Sequence, residues 1–226
     1  MHRRRASAKQ KIDVYYKELI NQIYFNKRPI QAIGRFLLLK EYPILYIWAK
    51  LKALIEEEKV ILVNDKDEQI GLMPKQEAHE KGILHRAFSV FVFNDSRQLM
   101  MQQRALHKYH SPGLWTNTCC SHQRDSESTL DAGMRRLQEE MGFSTSLKKT
   151  TSFIYKAPFD NGLTEHEFDH ILIGTYNQDP KINSDEVASW KWMCLEDIKE
   201  DIQKNPDSYT AWFKIIFDKF QHHITI

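Results

Sequence analysis

Histidines and carboxylates recur in this chain at spacings that suit a metal ion. His79, His85 and His122 are accompanied by Glu165 and Glu167, which stand two apart in a stretch that reads as a strand. Alternate strand residues share a face, so the two carboxylates point the same way. Cys120 and His122 are also two apart, and if their stretch is extended they share a face too. Neutral imidazoles with carboxylates suit a borderline cation such as Mn²⁺, Fe²⁺ or Zn²⁺. The spacing alone forms no compact metal motif, and surface histidines and glutamates are a common alternative. Cys120 is one of three cysteines, with Cys119 and Cys194. An odd count with two adjacent members is no disulfide framework, and it fits a reducing cytoplasm where a thiol stays available for chemistry.

Such residues need a rigid frame. KVILVN, from Lys59, reads as a strand followed by a turn at Asp65-Lys66-Asp67. AFSVFVFN (87–94) and QLMMQQR (98–104) flank a short polar turn and predict a hairpin. Residues 111–127 are loop-rich, with Pro112-Gly113. Residues 128–141 predict a helix, with Leu130, Met134, Leu137 and Met141 on one face and Gly142 just past its end. Strands are expected at 150–157, 166–176 and 187–193, and helices at 194–204 and 211–223. This alternation predicts a mixed α/β (α+β) domain over 58–226. With 42% apolar residues the chain can fill a core.

Residues 1–57 have a different texture. Apolar residues at helical spacing (Ile12, Tyr15, Leu19, Ile23; then Ile44, Ile47, Leu51, Ile55) predict a helical extension broken by Pro29 and Pro43. Residues 1–55 carry 12 Lys and Arg against 3 Asp and Glu, while the remainder carries 20 against 27. A basic, amphipathic extension can pack on its own domain, self-associate, or lie peripherally on an anionic membrane. No nucleic-acid motif accompanies the charge, so no nucleic-acid partner is expected. No apolar h-region follows the basic start, and no eighteen-residue apolar run exists, so the expected location is cytoplasmic.

Residues 121–143, SHQRDSESTLDAGMRRLQEEMGF, resemble the Nudix box G-x5-E-x7-R-E-U-x-E-E-x-G-U. Glu127, Arg135, Leu137, Glu139, Glu140, Gly142 and Phe143 fall in register. Ser121 stands where glycine is expected, and Arg136 where the first glutamate of the R-E element is expected. Glutamates one turn apart can share Mg²⁺, which bridges carboxylates and phosphate oxygens. Hydrolysis of a diphosphate needs several such carboxylates to activate water. Arg136 replaces one with a cation, which favours gripping a diphosphate over cutting it. A solvated amphipathic helix with i,i+3 and i,i+4 pairs would read similarly.

HRAFSVFVFN (85–94), QQR (102–104), SPGLWTNTCCSH (111–122) and YKAPFDNGLTEHEFDH (155–170) together resemble the type I isopentenyl-diphosphate isomerase family over roughly 59–215. The resemblance implies a Nudix-like mixed sheet flanked by helices, and isomerisation of isopentenyl diphosphate to dimethylallyl diphosphate. It implies Cys120 as a catalytic cysteine with Cys119 facing away, and Tyr155 with Glu167 as the second catalytic pair. It further implies His79, His85, His122, Glu165 and Glu167 as ligands of one divalent metal (Mn²⁺, Zn²⁺ or Fe²⁺), and Glu140 as a ligand of the Mg²⁺ that arrives with the diphosphate. Lys75, Arg104, Lys108 and Arg136 match the diphosphate grip, and Trp212 the aromatic residue near the reacting carbons.

Moving a double bond this way adds a proton at one carbon and removes one at another, through a tertiary cation. That calls for a tuned acid, a base on the other side and a dry site. A thiolate in that role needs a lowered pKa, for which nearby cations are one route. The competing expectations are a Nudix diphosphohydrolase and a non-catalytic Nudix-like binding module.

Overall fold

A computed structural model describes residues 58–108, 110–159 and 162–224. The helices expected in the N-terminal extension lie outside the described residues. The elements are β1 (Lys59–Val63), β2 (Gln69–Pro74), α1 (Lys75–Lys81), β3 (His85–Phe93), β4 (Leu99–Arg104), β5 (Trp115–Thr116), β6 (Cys119–Ser121), α2 (Thr129–Met141), β7 (Lys148–Pro158), β8 (Thr164–Thr175), β9 (Val187–Met193), α3 (Leu195–Lys204) and α4 (Ala211–Phe220). The expected strands and helices of 58–226 are present, in a mixed sheet flanked by helices.

β3 organises the sheet. Its sequence, HRAFSVFVF, is mostly apolar and almost wholly buried, as a strand covered on both faces must be. Alternation sends Phe91 and Phe93 into a core with Trp212, Phe213 and Phe217 of α4. It sends Phe88, Val90 and Val92 into a second core with Leu137 and Met141 of α2. β3 runs parallel to β8 from His85↔Glu167 to Phe93↔Thr175, and β8 pairs antiparallel with β7. On its other side β3 pairs with β6.

The expected hairpin of 87–94 with 98–104 opens after a single pair, Phe93↔Leu99. β4 then pairs with β9 and β5 instead. Buried side chains fill the split. Thr118 Oγ1 accepts from Val92 N (2.9 Å) and donates to Met100 O (2.7 Å), so one hydroxyl joins β3 to β4 where the backbone ladder is missing. Asn117 Nδ2 donates to Val90 O (3.1 Å) and Cys119 O (2.7 Å). These bonds satisfy buried carbonyls and hold the loop-rich segment as a wedge. Cys120 is positioned by that wedge.

α2 has the ends its sequence predicts. Ser128 Oγ caps it by accepting from Asp131 N (3.1 Å). Gly142 ends it in the left-handed region, φ 73°. A Cβ on Gly142 would lie 2.3 Å from Lys181 O, so strain and a backbone clash add together. Gly142→Ala is therefore expected to lower stability by at least about 2 kcal/mol. A denaturant midpoint equal to the parent's would contradict this.

α1 was not expected. It has seven residues, KQEAHEK, with only Ala78 and His79 buried, so it has no apolar period to read. It places Lys75 and His79 one turn apart.

Candidate active site

The pleat gathers the candidate residues. His85 on β3 stands opposite Glu167 on β8, and Glu167 stands opposite Tyr155 on β7. Cys120 stands opposite Ser89, four residues along β3 from His85. Paired and alternate residues share a face, so Cys120, His85, Glu165, Glu167 and Tyr155 all lie on the α4 side of the sheet. Cys119, opposite Val90, goes to the α2 side and is fully buried there, facing away from its neighbour as expected.

His79, His85, His122, Glu165 and Glu167 meet in one buried group, each offering a ligand atom within 4.8 Å of the others. His79 Nδ1 lies 2.6 Å from Lys75 O, and His85 Nδ1 lies 2.8 Å from Ile83 O. A carbonyl only accepts, so each ring spends its Nδ1 proton outward and turns Nε2 inward. His79 Nε2 is 2.9 Å from Glu165 Oε2, close enough for an ion pair but not aligned for a hydrogen bond, and both atoms are buried without a hydrogen-bond partner. His122 Nε2 lies 3.2 Å from His85 Nε2 and 2.9 Å from Glu167 Oε1. Burial pushes His122 well below the usual histidine value, with Lys75 adding to the effect, so it is neutral. Buried lone pairs converging with too few protons are costly unless a cation takes them. Three imidazoles and two carboxylates are the donor set for a divalent metal, and these residues fit one.

Beside this group, Tyr155 Oη donates to Glu167 Oε2 (2.6 Å). Burial raises the Glu167 carboxyl, but the neighbouring His85 ring (Nε2 3.6 Å from Oε1) and the hydrogen bond from Tyr155 outweigh it and hold its pKa below the ordinary value. Burial pushes Tyr155 well above the phenol range. Cys120 differs from the expected thiolate. Burial pushes its pKa up to about 12, and Arg104 pulls it back only in part. The cation is present but desolvation is larger, so the resting side chain is a thiol. The resting pair is thus one protonated group and one ionised group.

Trp212, on α4, is buried and donates Nε1–H to Thr116 Oγ1 (2.9 Å). The Arg104 guanidinium carbon sits 5.3 Å from its ring centre. Cys120, Tyr155, Glu165, Glu167 and Trp212 line a single cavity together with Lys75, Arg104, Lys108, Arg136 and Glu140. His79 and His85, both buried, are not among the residues lining it. Glu140 does not join the five-residue metal group. Its two oxygens accept from Arg136 Nη2 (2.6 Å) and Gln102 Nε2 (2.7 Å).

A NUDIX domain model matches residues 83–213, more than half of the chain. A protein named Isopentenyl-diphosphate Delta-isomerase 2 from Aromatoleum aromaticum is 48% identical over 72% of this chain and 86% of its own length. An Isopentenyl-diphosphate Delta-isomerase from Serratia proteamaculans is also 48% identical, over 71% of this chain and 89% of its own. The chain belongs to the isopentenyl-diphosphate Delta-isomerases of the Nudix family. A crystal structure from Deinococcus radiodurans shares the fold with a TM-score of 0.60 at 19% identity, covering 72% of this chain and 99% of that one.

Within this isomerase family frame, the structure adds two residues to the cavity wall, His110 and Glu186, and a buried carboxylate beside the site, Asp169. His110 reaches the site from the loop after β4, stacked on Phe159 (ring centres 5.5 Å apart) and edge-on to Trp212 (5.9 Å). Glu186 precedes β9 and contacts Lys108 and Arg136. Asp169, two residues beyond Glu167, is buried and accepts from Ser89 Oγ (2.8 Å). Only Asp169 was within reach of the strand alternation, since it continues the Glu165, Glu167 series. The other two depend on loops folding back.

Proposed function

We infer that this chain isomerises isopentenyl diphosphate to dimethylallyl diphosphate. The observation that carries the reading is one cavity lined by two distinct proton carriers, Cys120 and the Tyr155–Glu167 pair, together with the four cations Lys75, Arg104, Lys108 and Arg136. The cations grip the diphosphate, because five carbons alone offer little to bind. That grip holds the double bond between thiol and carboxyl. One group delivers a proton to an alkene carbon and a tertiary cation forms. The other takes a proton from the neighbouring carbon, and the double bond re-forms one position along. The two groups exchange roles between directions. Trp212 presents an aromatic ring to the developing charge, and the buried walls keep water from turning the cation into an alcohol.

His79, His85, His122, Glu165 and Glu167 would hold a divalent ion, Mn²⁺, Zn²⁺ or Fe²⁺. When bound, such an ion would supply Lewis-acid polarisation beside the Tyr155–Glu167 pair. Glu140, on the cavity wall, would take the Mg²⁺ that accompanies the diphosphate. Because burying five unmatched ligands is costly, stripping the protein with a chelator is expected to lower Tm, and restoring metal at about 100 times Kd to return about 2.7 kcal/mol. Equal Tm with and without metal would contradict the site.

The geometry speaks against hydrolysis. Glu127 spends both oxygens on Arg135 (2.7 and 2.9 Å), and Glu139 Oε2 accepts from Arg136 (2.6 Å). Glu127 and Glu139 of the Nudix box are thus paired with arginines away from the cavity, whereas Glu140, though paired with Arg136 and Gln102, lines it. Incubation with isopentenyl diphosphate and Mg²⁺ is expected to give an allylic product and no inorganic phosphate. Phosphate release would favour the diphosphohydrolase. Among the described residues no helix is long and apolar enough to cross a membrane.

A further inference from the structure

Glu186 is a partly buried carboxylate that the reaction does not use. It reaches the cavity from the segment before β9 and lines it. Its Oε2 contacts Lys108 Nζ and lies 3.4 Å from Arg136 Nη2. Burial raises its pKa, but Lys108 and then Arg136 outweigh this and keep it ionised. The backbone fixes it in place. Glu186 N donates to Asn183 O (2.9 Å), Asn183 N donates to Glu140 O (2.9 Å), and Ala105 N donates to Glu186 O (3.0 Å). The segment is therefore tied both to the end of α2 and to the start of the loop that carries Lys108.

An anionic oxygen touching two cations of a phosphate grip does what a phosphate oxygen does. We propose that Glu186 is an internal counter-ion at the diphosphate site, so that substrate binding is an exchange of this carboxylate for a phosphate oxygen. The inference rests on the reading of Lys108 and Arg136 as part of the diphosphate grip.

Two physical consequences follow. Lys108 no longer faces Arg136, which Glu139 and Glu140 already hold, without an anion between them, so Lys108 stays in place before substrate arrives. Substrate affinity is lowered by the cost of displacing the carboxylate. Substrate and product carry the same diphosphate, so extra affinity for it would be uniform binding, which slows product release without helping the chemical step. Glu186 sets KM and release; it takes no part in proton transfer.

The test is calorimetric binding of inorganic pyrophosphate to the full chain and to Glu186→Gln, at fixed Mg²⁺ and constant ionic strength. The amide keeps the volume and removes the charge. Glu186→Gln is expected to bind pyrophosphate about fivefold more tightly, the scale of one partly screened ion pair released. KM for isopentenyl diphosphate is expected to fall in parallel. Equal or weaker binding by the variant overturns the counter-ion role; weaker binding would make Glu186 an organiser of the grip or a ligand of the Mg²⁺. Failure of the parent protein to bind pyrophosphate would instead overturn the assignment of the grip. Glu186→Ala, with its thermal midpoint recorded, repeats the comparison should the amide variant fold poorly, and the same tightening is expected.

Discussion

Cys120→Ala lowers turnover at least about a hundredfold, as expected when an acid–base group is lost. The fold tolerates the change. Cys120 is only partly buried, and its wedge is held by Asn117 and Thr118 rather than by the sulfur. Thermal stability and metal content should therefore stay at the parent values, so the loss appears in kcat with little change in KM. The neighbouring Cys119 gives the control. It is fully buried in the core on the α2 side, so Cys119→Ala leaves a small cavity and costs stability, while turnover in the folded protein persists. Rates of isomerisation for the two variants, with melting curves, check both statements. Near-normal turnover in Cys120→Ala would remove the thiol from the reaction.

Glu167→Gln has the larger expected effect, because this side chain serves two roles. One oxygen accepts from Tyr155 and the other faces His122 and His85. The amide cannot take up or release the proton, and it is a poor metal ligand. Turnover is expected to fall about a thousandfold or more, with bound metal lost as well. Tyr155→Phe separates the roles. It removes the hydrogen bond to Glu167 but leaves the five metal-facing groups intact. Metal content should be unchanged and kcat reduced. Metal analysis alongside steady-state kinetics on both variants makes the comparison. A Glu167→Gln protein that keeps both its metal and its rate would contradict the site as built here.

The site was legible where it lies on strands. The two-residue spacing of Glu165 with Glu167 translates directly into a shared face, because strand alternation is strict; Cys120 on β6 and His122 just past its end reach the same cavity. α2 was legible because an apolar stripe, a capping Ser128 and a terminal Gly142 all agree. The hairpin expected over 87–104 is present only at its turn, because local pattern does not say which neighbour a strand keeps along its length. β3 gives most of its length to β6 and β8, and Thr118 bridges the gap this leaves. α1 carries Lys75 and His79 without an apolar period, since a short polar helix buries too little to show one. Pro74 before it and Gly82 after it were the available signals. His110 and Glu186 reach the cavity from loops, and nothing in their local sequence records that return.

The desolvation of Cys120 also had no sequence signature. A thiolate there needs a lowered pKa, for which nearby cations are one route. The structure adds the larger opposing effect, burial, and leaves a thiol and an ionised carboxylate in one cavity. For a reaction that adds one proton and removes another, a site resting with one carrier loaded and the other empty is ready without a preliminary transfer.

A proton NMR time course of the full chain with isopentenyl diphosphate, Mg²⁺ and Mn²⁺ in heavy water follows the proton transfers themselves. Dimethylallyl diphosphate should form with deuterium in it, since the added proton comes from groups that exchange with solvent. An unchanged substrate spectrum from folded, metal-loaded protein would contradict the isomerisation.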